Sequence, residues 1–295
     1  MQRILLIGKN GQLGWEAQRA LAPLGEVVAL DYPEIDLTHP ETLASMVAEI
    51  RPQIIFNAAA YTAVDRAESE PEIPRLINAV TPGELAAAAR KARAVLVHFS
   101  TDYVFDGTKN TAYKEDDLPN PLSVYGQTKL DGDRAAGSSG GAWIVLRPTW
   151  VYSTRRESFV SKLLEWSRKN SVLRVVDDQI SGPTWARSLA ETAALMLARA
   201  GTQDPYAWLE ERAGVYHLSG RGWCSRLEWA QEILRLDPNP ELRTAKEVLA
   251  AKTADFPAPA QRPLFSALDC AKFEHTFGLS LPDWKTALQL AMAQL

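Results

Sequence analysis

The chain has 295 residues, of which 46% are hydrophobic and 23% charged, and it carries a net charge of -4. This balance fits one large or two modest globular domains, and the lack of a Lys/Arg stripe argues against nucleic acid as the main partner. No apolar run approaches the roughly 20 residues of a membrane span, no basic stretch with a long apolar run opens the chain as in a secretory signal, and two distant cysteines, Cys224 and Cys270, argue against a disulfide framework. No membrane partner and a cytoplasmic location are therefore expected.

The first apolar run, Ile4 to Ile7, predicts a buried strand that leads into Gly8, Gly11 and Gly14, a GxxGxxG turn before a helix expected to start near Trp15. Glycines there let the chain turn tightly, so that backbone N–H groups and the helix N-terminus face a pyrophosphate, although glycines also serve ordinary turns. Further strands are predicted at Val27 to Leu30, Ile54 to Phe56, Val95 to Phe99 and Ile144 to Leu146. They alternate with helices at Trp15 to Ala22, Pro40 to Ile50 and Pro82 to Arg93. That alternation reads as α/β, a Rossmann-like doubly wound parallel sheet. Beyond Pro148 the order loosens into helices at Phe159 to Lys169 and Ala186 to Ala200 and strands at Val172 to Val176 and Val215 to Leu218. A helix follows at Ser225 to Leu236, then a Pro- and Ala-rich surface stretch from Asp237 to Pro263, and a last helix from Asp283. The expected division is a dinucleotide-binding domain over 1–147, to which segments within 172–219 return, and a smaller substrate-binding part made mainly of 148–295.

In open parallel sheets ligands bind beyond the carboxyl ends of the strands. Asp31 follows the second strand where a carboxylate accepts from an adenosine ribose 2′-OH, which favours NADH over NADPH; a surface-turn aspartate is the plainer alternative. Asp36 and Leu37 are placed to flank the adenine. Small residues before Tyr61 and Thr62, Ala60 among them, let the backbone approach a cofactor closely. The fourth strand runs into Ser100-Thr101-Asp102-Tyr103, and Tyr125 and Lys129 stand four apart further on. If that stretch is helical, both side chains leave one face, and a nearby ammonium favours the phenolate and makes Tyr125 a better proton carrier. A Tyr/Lys pair alone is a weak signal; its order after a glycine turn and a strand-end hydroxyl is what strengthens it. His98, inside an apolar strand, reads as a core residue.

These segments resemble the extended short-chain dehydrogenase/reductases, and within them the dTDP-4-dehydrorhamnose reductase family. The resemblance runs through Gly8 to Gly14, Asn57 to Glu70, Ser100 to Gly107, Tyr125 to Lys129, Arg147 to Tyr152, Asp178 to Thr184 and Arg262-Pro263. It implies reduction of a C4 keto group on a dTDP-deoxysugar by NADH or NADPH, the last step of dTDP-rhamnose formation. In it Thr101 polarises the carbonyl, Tyr125 donates the proton, and Lys129 tunes Tyr125 and holds the nicotinamide ribose. It places cofactor contacts on Gly8, Asn10, Gly11, Gln12, Leu13, Gly14, Asp31, Asp36, Leu37, Ala60, Tyr61, Thr62, Tyr125 and Lys129. Substrate contacts fall on Thr101, Asp102, Tyr103 and Trp150; from its position alone, Trp150 is more often a core residue than a sugar platform. Some relatives dimerise around Mg²⁺ held by three carboxylates. Glu16 and Glu191 match two of those positions, but Gln294 stands at the third, and a neutral amide is a poorer ligand for a hard cation. A monomer or weak homodimer without a metal requirement is expected. Two other readings stay open: a non-catalytic regulatory subunit of the methionine adenosyltransferase type, and a reductase of another dTDP-4-keto sugar.

Overall fold

The computed structural model describes residues 2–201 and 203–295. Strand β1 (Gln2–Ile7) leads through the glycine turn into helix α1 (Gln12–Leu21), then β2 (Gly25–Leu30), α2 (Leu43–Ile50), β3 (Ile54–Asn57), β4 (Val95–Phe99) and β5 (Trp143–Arg147). With strand Gly214–His217 these form one six-stranded sheet, ordered Gly214–His217, β5, β4, β3, β1, β2, parallel throughout. The apolar runs are buried on both faces, as a sheet covered by helices on each side requires. Ile4, Leu6, Phe56 and Val97 pack with Ala17, Leu21 and Leu189 on one side. Leu5, Ile7, Ile55 and Leu96 pack with Val47, Leu85 and Ala89 on the other. Because β1 lies between β2 and β3, the strand order reverses there, and a crevice opens at the carboxyl ends of β1 and β3. The glycine turn and Asn57 to Ala60 sit at that crevice.

Two helices position the chemistry. The chain from Thr81 to Ala92 is helical and is preceded by a wider turn over Arg75–Val80, a feature frequent at functional sites. From that turn the buried Asn78 accepts from the Tyr61 N–H (2.9 Å) and donates to the Tyr61 carbonyl (3.0 Å), so it pins the loop after β3. The helix Val124–Ser138 carries Tyr125 and Lys129. Ser123 caps it by accepting from the Gly126 N–H (3.1 Å), and Glu68 accepts from the Val124 N–H (2.9 Å). Gly126 is required there, since a Cβ would lie 2.3 Å from the Tyr103 carbonyl oxygen.

The later half builds a second core from Tyr152, Leu163, Trp185, Trp229, Ile233, Trp284 and Leu288. Helix Ala186–Ala198 returns to pack on α1, and Gly214–His217 joins the sheet beside β5. Strand Val172–Val176, expected among the returning segments, does not join the sheet. It pairs with Glu247–Ala251, inside the stretch expected to wander over the surface. Val172–Val176 is buried on alternate residues only, the pattern of a strand with one face to solvent rather than one inside a covered sheet. The partner strand is short and mostly exposed, and its apolar residues do not alternate with polar ones, so no strand period marks it.

Candidate active site

At the glycine turn, Gly8 adopts a left-handed backbone (φ +89°), and a Cβ on it would stand 2.8 Å from the Ala59 nitrogen. A Cβ on Gly14 would fall 1.9 Å from the Gly8 carbonyl oxygen. Only glycines allow this approach of β1, β3 and α1. Helix α1 begins at Gln12, three residues earlier than expected, and its Gly11 cap has no side chain, so its first N–H groups stay available to a ligand. The Gln12 side chain donates to the Glu157 carbonyl (3.1 Å), while its Oε1 is buried without a partner among the described residues. Beside the turn a cavity of about 340 Å³ is lined by Asp31, Ile35, Asp36, Leu37, Ala59 and Ala60 among others. Asp31 accepts from the Asn10 and Tyr32 N–H groups (2.8 Å each), which ties the two loops together. Thr38 donates to Asp36 from both N–H and hydroxyl and holds its carboxyl below the usual range. Tyr61 donates to Glu70. An orphaned buried acceptor, a backbone cradle and an adjoining apolar-walled cavity suit a dinucleotide.

At the end of β4, Thr101 is buried in extended backbone; its Oγ1 accepts from the Tyr103 N–H (3.2 Å) and donates to Asp102 Oδ1 (3.2 Å). The Tyr125 ring lies edge-on to Tyr103 at 5.7 Å. Burial drives the Tyr125 phenol well above its ordinary value, with the Thr101 hydroxyl pulling it back. That shift is opposite in sign to the one expected from a neighbouring ammonium because burial dominates it, and Lys129 itself points elsewhere. Its fully buried Nζ donates to the Phe99 carbonyl and lies 3.3 Å from His98 Nε2, whose other ring nitrogen is 3.0 Å from Asn57 Nδ2. Burial holds the Lys129 amine down to about 8, with Asp133 raising it. His98, expected only as core, is a Lys129 partner, and burial followed by the Lys129 charge keeps it far below its usual value. Beneath them Asp133 and Arg147 form a buried ion pair (3.0 Å).

On the other side of Thr101, Asp102 Oδ2 accepts from Ser266, a residue the sequence did not single out. Burial pushes the Asp102 carboxyl up to about 6, against the Ser266 bond. A raised folded-state value means that Asp102 contributes stability fully present below its unfolded value, near pH 4, and lost as pH rises through about 6. Asp102→Asn is therefore expected to flatten the dependence of urea midpoint on pH across that window. An unchanged slope would mean that Asp102 ionises normally. Trp150 takes a left-handed backbone (φ +38°), costly for so bulky a residue. The Arg226 guanidinium lies over its ring at 3.7 Å, and Trp229 runs parallel to it at 5.6 Å. Arg262 pairs with Asp65 (2.7 Å).

The metal candidates fit Mg²⁺ poorly. Glu16 is buried on α1, Glu191 is held by Arg187 (2.9 Å), and the Arg187 charge also feels Glu16. Gln294 is exposed past the last helix. Among the described residues no group of three or more His, Cys, Asp or Glu is arranged to hold a metal ion. With both carboxylates facing a guanidinium, turnover and sedimentation are expected to be the same in EDTA and in added Mg²⁺. A metal-dependent dimer would overturn this.

A dinucleotide cradle and a Thr/Tyr/Lys group on one parallel sheet are the marks of the extended short-chain dehydrogenase/reductase class. Comparison with known proteins agrees: the model of the RmlD substrate binding domain matches residues 1–295. A dTDP-4-dehydrorhamnose reductase of Burkholderia thailandensis is 40% identical over 302 residues, covering 99% of each chain. The crystal structure of a dTDP-4-dehydrorhamnose reductase from Clostridium acetobutylicum superposes with a TM-score of 0.89 at 34% identity, covering 99% of each chain. That from Bacillus anthracis, in complex with NADP, gives 0.88 at 30% identity, covering 100% of this chain and 99% of that one. The chain belongs to the dTDP-4-dehydrorhamnose reductase family. Among the described residues no helix is long and apolar enough to cross a membrane.

Proposed function

We propose that this chain reduces the C4 ketone of dTDP-4-dehydro-6-deoxy-L-mannose to the alcohol of dTDP-L-rhamnose, with NADH or NADPH. The observation that carries it is the meeting of Thr101 and Tyr125 at the end of β4, one strand from a cradle that suits a dinucleotide. NAD(P)H, when bound, supplies the hydride. Gly8 to Gly14 and the first turn of α1 hold its pyrophosphate, and the cavity at Asp31, Asp36 and Leu37 holds its adenosine. Thr101 donates a hydrogen bond to the ketone oxygen. Tyr125, kept protonated by burial, hands its phenolic proton to that oxygen as charge develops on it. Lys129, one turn along, serves the nicotinamide ribose.

Turnover with purified dTDP-4-keto sugars, followed by NADH oxidation and the stereochemistry of the product, tests the reading. Failure to oxidise NADH with a sugar nucleotide that binds would favour a regulatory subunit. For the coenzyme, NADH is expected to be used at least as well as NADPH. Asp31 lines the cavity, and Lys9 is already paired with Glu34 (2.7 Å). A strong preference for NADPH that survives Asp31→Ala would show that this carboxylate does not face the ribose.

A further inference from the structure

Arg226 is the first residue of the helix Arg226–Arg235, behind the Ser225 cap. Its guanidinium carbon lies 3.7 Å from the ring centroid of Trp150, 5.1 Å from that of Phe159 and 5.4 Å from that of Trp229. A guanidinium carries five N–H donors. Among the described residues the Arg226 side chain makes no hydrogen bond and no ion pair. Asp102 accepts from Ser266 and Thr101, and Asp65 is taken by Arg262. Two guanidinium groups thus act on Tyr103, one in an ion pair with a carboxylate and one not. Asp102 attracts Arg226 without hydrogen-bonding it, and a half-buried guanidinium with no hydrogen-bonded acceptor is costly unless a ligand completes it.

The unmatched charge lies on the substrate side of the site. The groups acting on Arg226 are Tyr103, Asp102, Cys224 and Arg262, whereas the glycine turn is ringed by Asp31, Ala59 and Glu157. Stacking a guanidinium flat on an indole leaves its edge, the fork of N–H groups, free to meet two oxygens of a phosphate at once. The ring that carries Arg226 belongs to a residue held in a strained, left-handed backbone.

We infer that Arg226, propped on Trp150, anchors the diphosphate of the nucleotide sugar and so sets the distance from that anion to Thr101 and Tyr125. The inference rests on the reductase reading for its substrate, and it changes the part played by Trp150. Arg226 covers one face of the indole, so Trp150 also acts as a positioning residue for the arginine.

The test is equilibrium binding of dTDP, NADH and NADPH to the full chain and to Arg226→Met and Arg226→Lys, with kcat and KM for the dTDP-4-keto sugar. Methionine keeps apolar cover on Trp150, and lysine keeps the cation if the methionine variant fails to fold. Losing charge-assisted hydrogen bonds to a phosphate weakens binding about 10- to 100-fold. Arg226→Met should show that loss in Kd for dTDP and in KM, with kcat within about threefold and both coenzyme affinities unchanged. Lysine, which cannot form the fork, should recover only part of the affinity. Unchanged dTDP binding in either variant overturns the inference, as does a loss confined to NADPH or a wild-type chain that does not bind dTDP. A chain that binds dTDP through Arg226 yet reduces no dTDP-4-keto sugar would remove the reductase reading and leave the anchor standing.

Discussion

Tyr125→Phe is expected to lower kcat by about 10² to 10⁴, the usual contribution of a positioned general acid, while leaving folding and coenzyme binding near wild type. The substitution removes one hydroxyl, and the ring keeps its edge-on packing against Tyr103. Because burial holds the phenol protonated across the neutral range, the proton donor is present at every ordinary assay pH. The turnover profile of the wild type should therefore show no alkaline limb belonging to Tyr125 in the ordinary assay range. Single-turnover measurements under saturating coenzyme would separate the chemical step from product release. Near-native turnover in the phenylalanine variant would move the proton donor to another group.

Asp133→Ala is expected to destabilise the protein by about 3–5 kcal/mol, since it strands Arg147 inside the fold without its counter-charge. The two side chains are 2% and 4% exposed and meet at 3.0 Å. Burial still raises the Asp133 carboxyl despite that pair, so desolvation outweighs the partner's attraction and the pair adds little by itself. Breaking it is what costs. Urea denaturation, with the slope compared between variants, measures the loss, and a shift below about 1 kcal/mol would show that water reaches Arg147. Asp133 also acts on Lys129, whose amine it raises against burial. The alanine variant should therefore deprotonate Lys129 at lower pH as well.

Much of the nucleotide-binding half is determined by local chemistry that a sequence carries openly. Ile4 to Ile7 and Val95 to Phe99 are apolar along their length because both faces of their strands are covered. Gly8 and Gly14 mark a turn because no other residue fits 1.9 to 2.8 Å from a neighbouring backbone atom. Spacing put Tyr125 and Lys129 on one face provided that their stretch is helical, and the structure makes it a helix. What the sequence left undetermined lies between residues far apart in the chain. Ser266 reaches Asp102 across 164 positions, His98 meets Lys129 across 31, and Arg226 lies over Trp150 from a helix far along the chain. Lys129 points inward to the Phe99 carbonyl because tertiary packing set an acceptor there, and burial of the phenol reversed the shift expected for Tyr125. Helical and strand periods report which face of a segment is buried. They carry no information about which distant polar group will meet it, because that partner is chosen only when the buried faces close on one another.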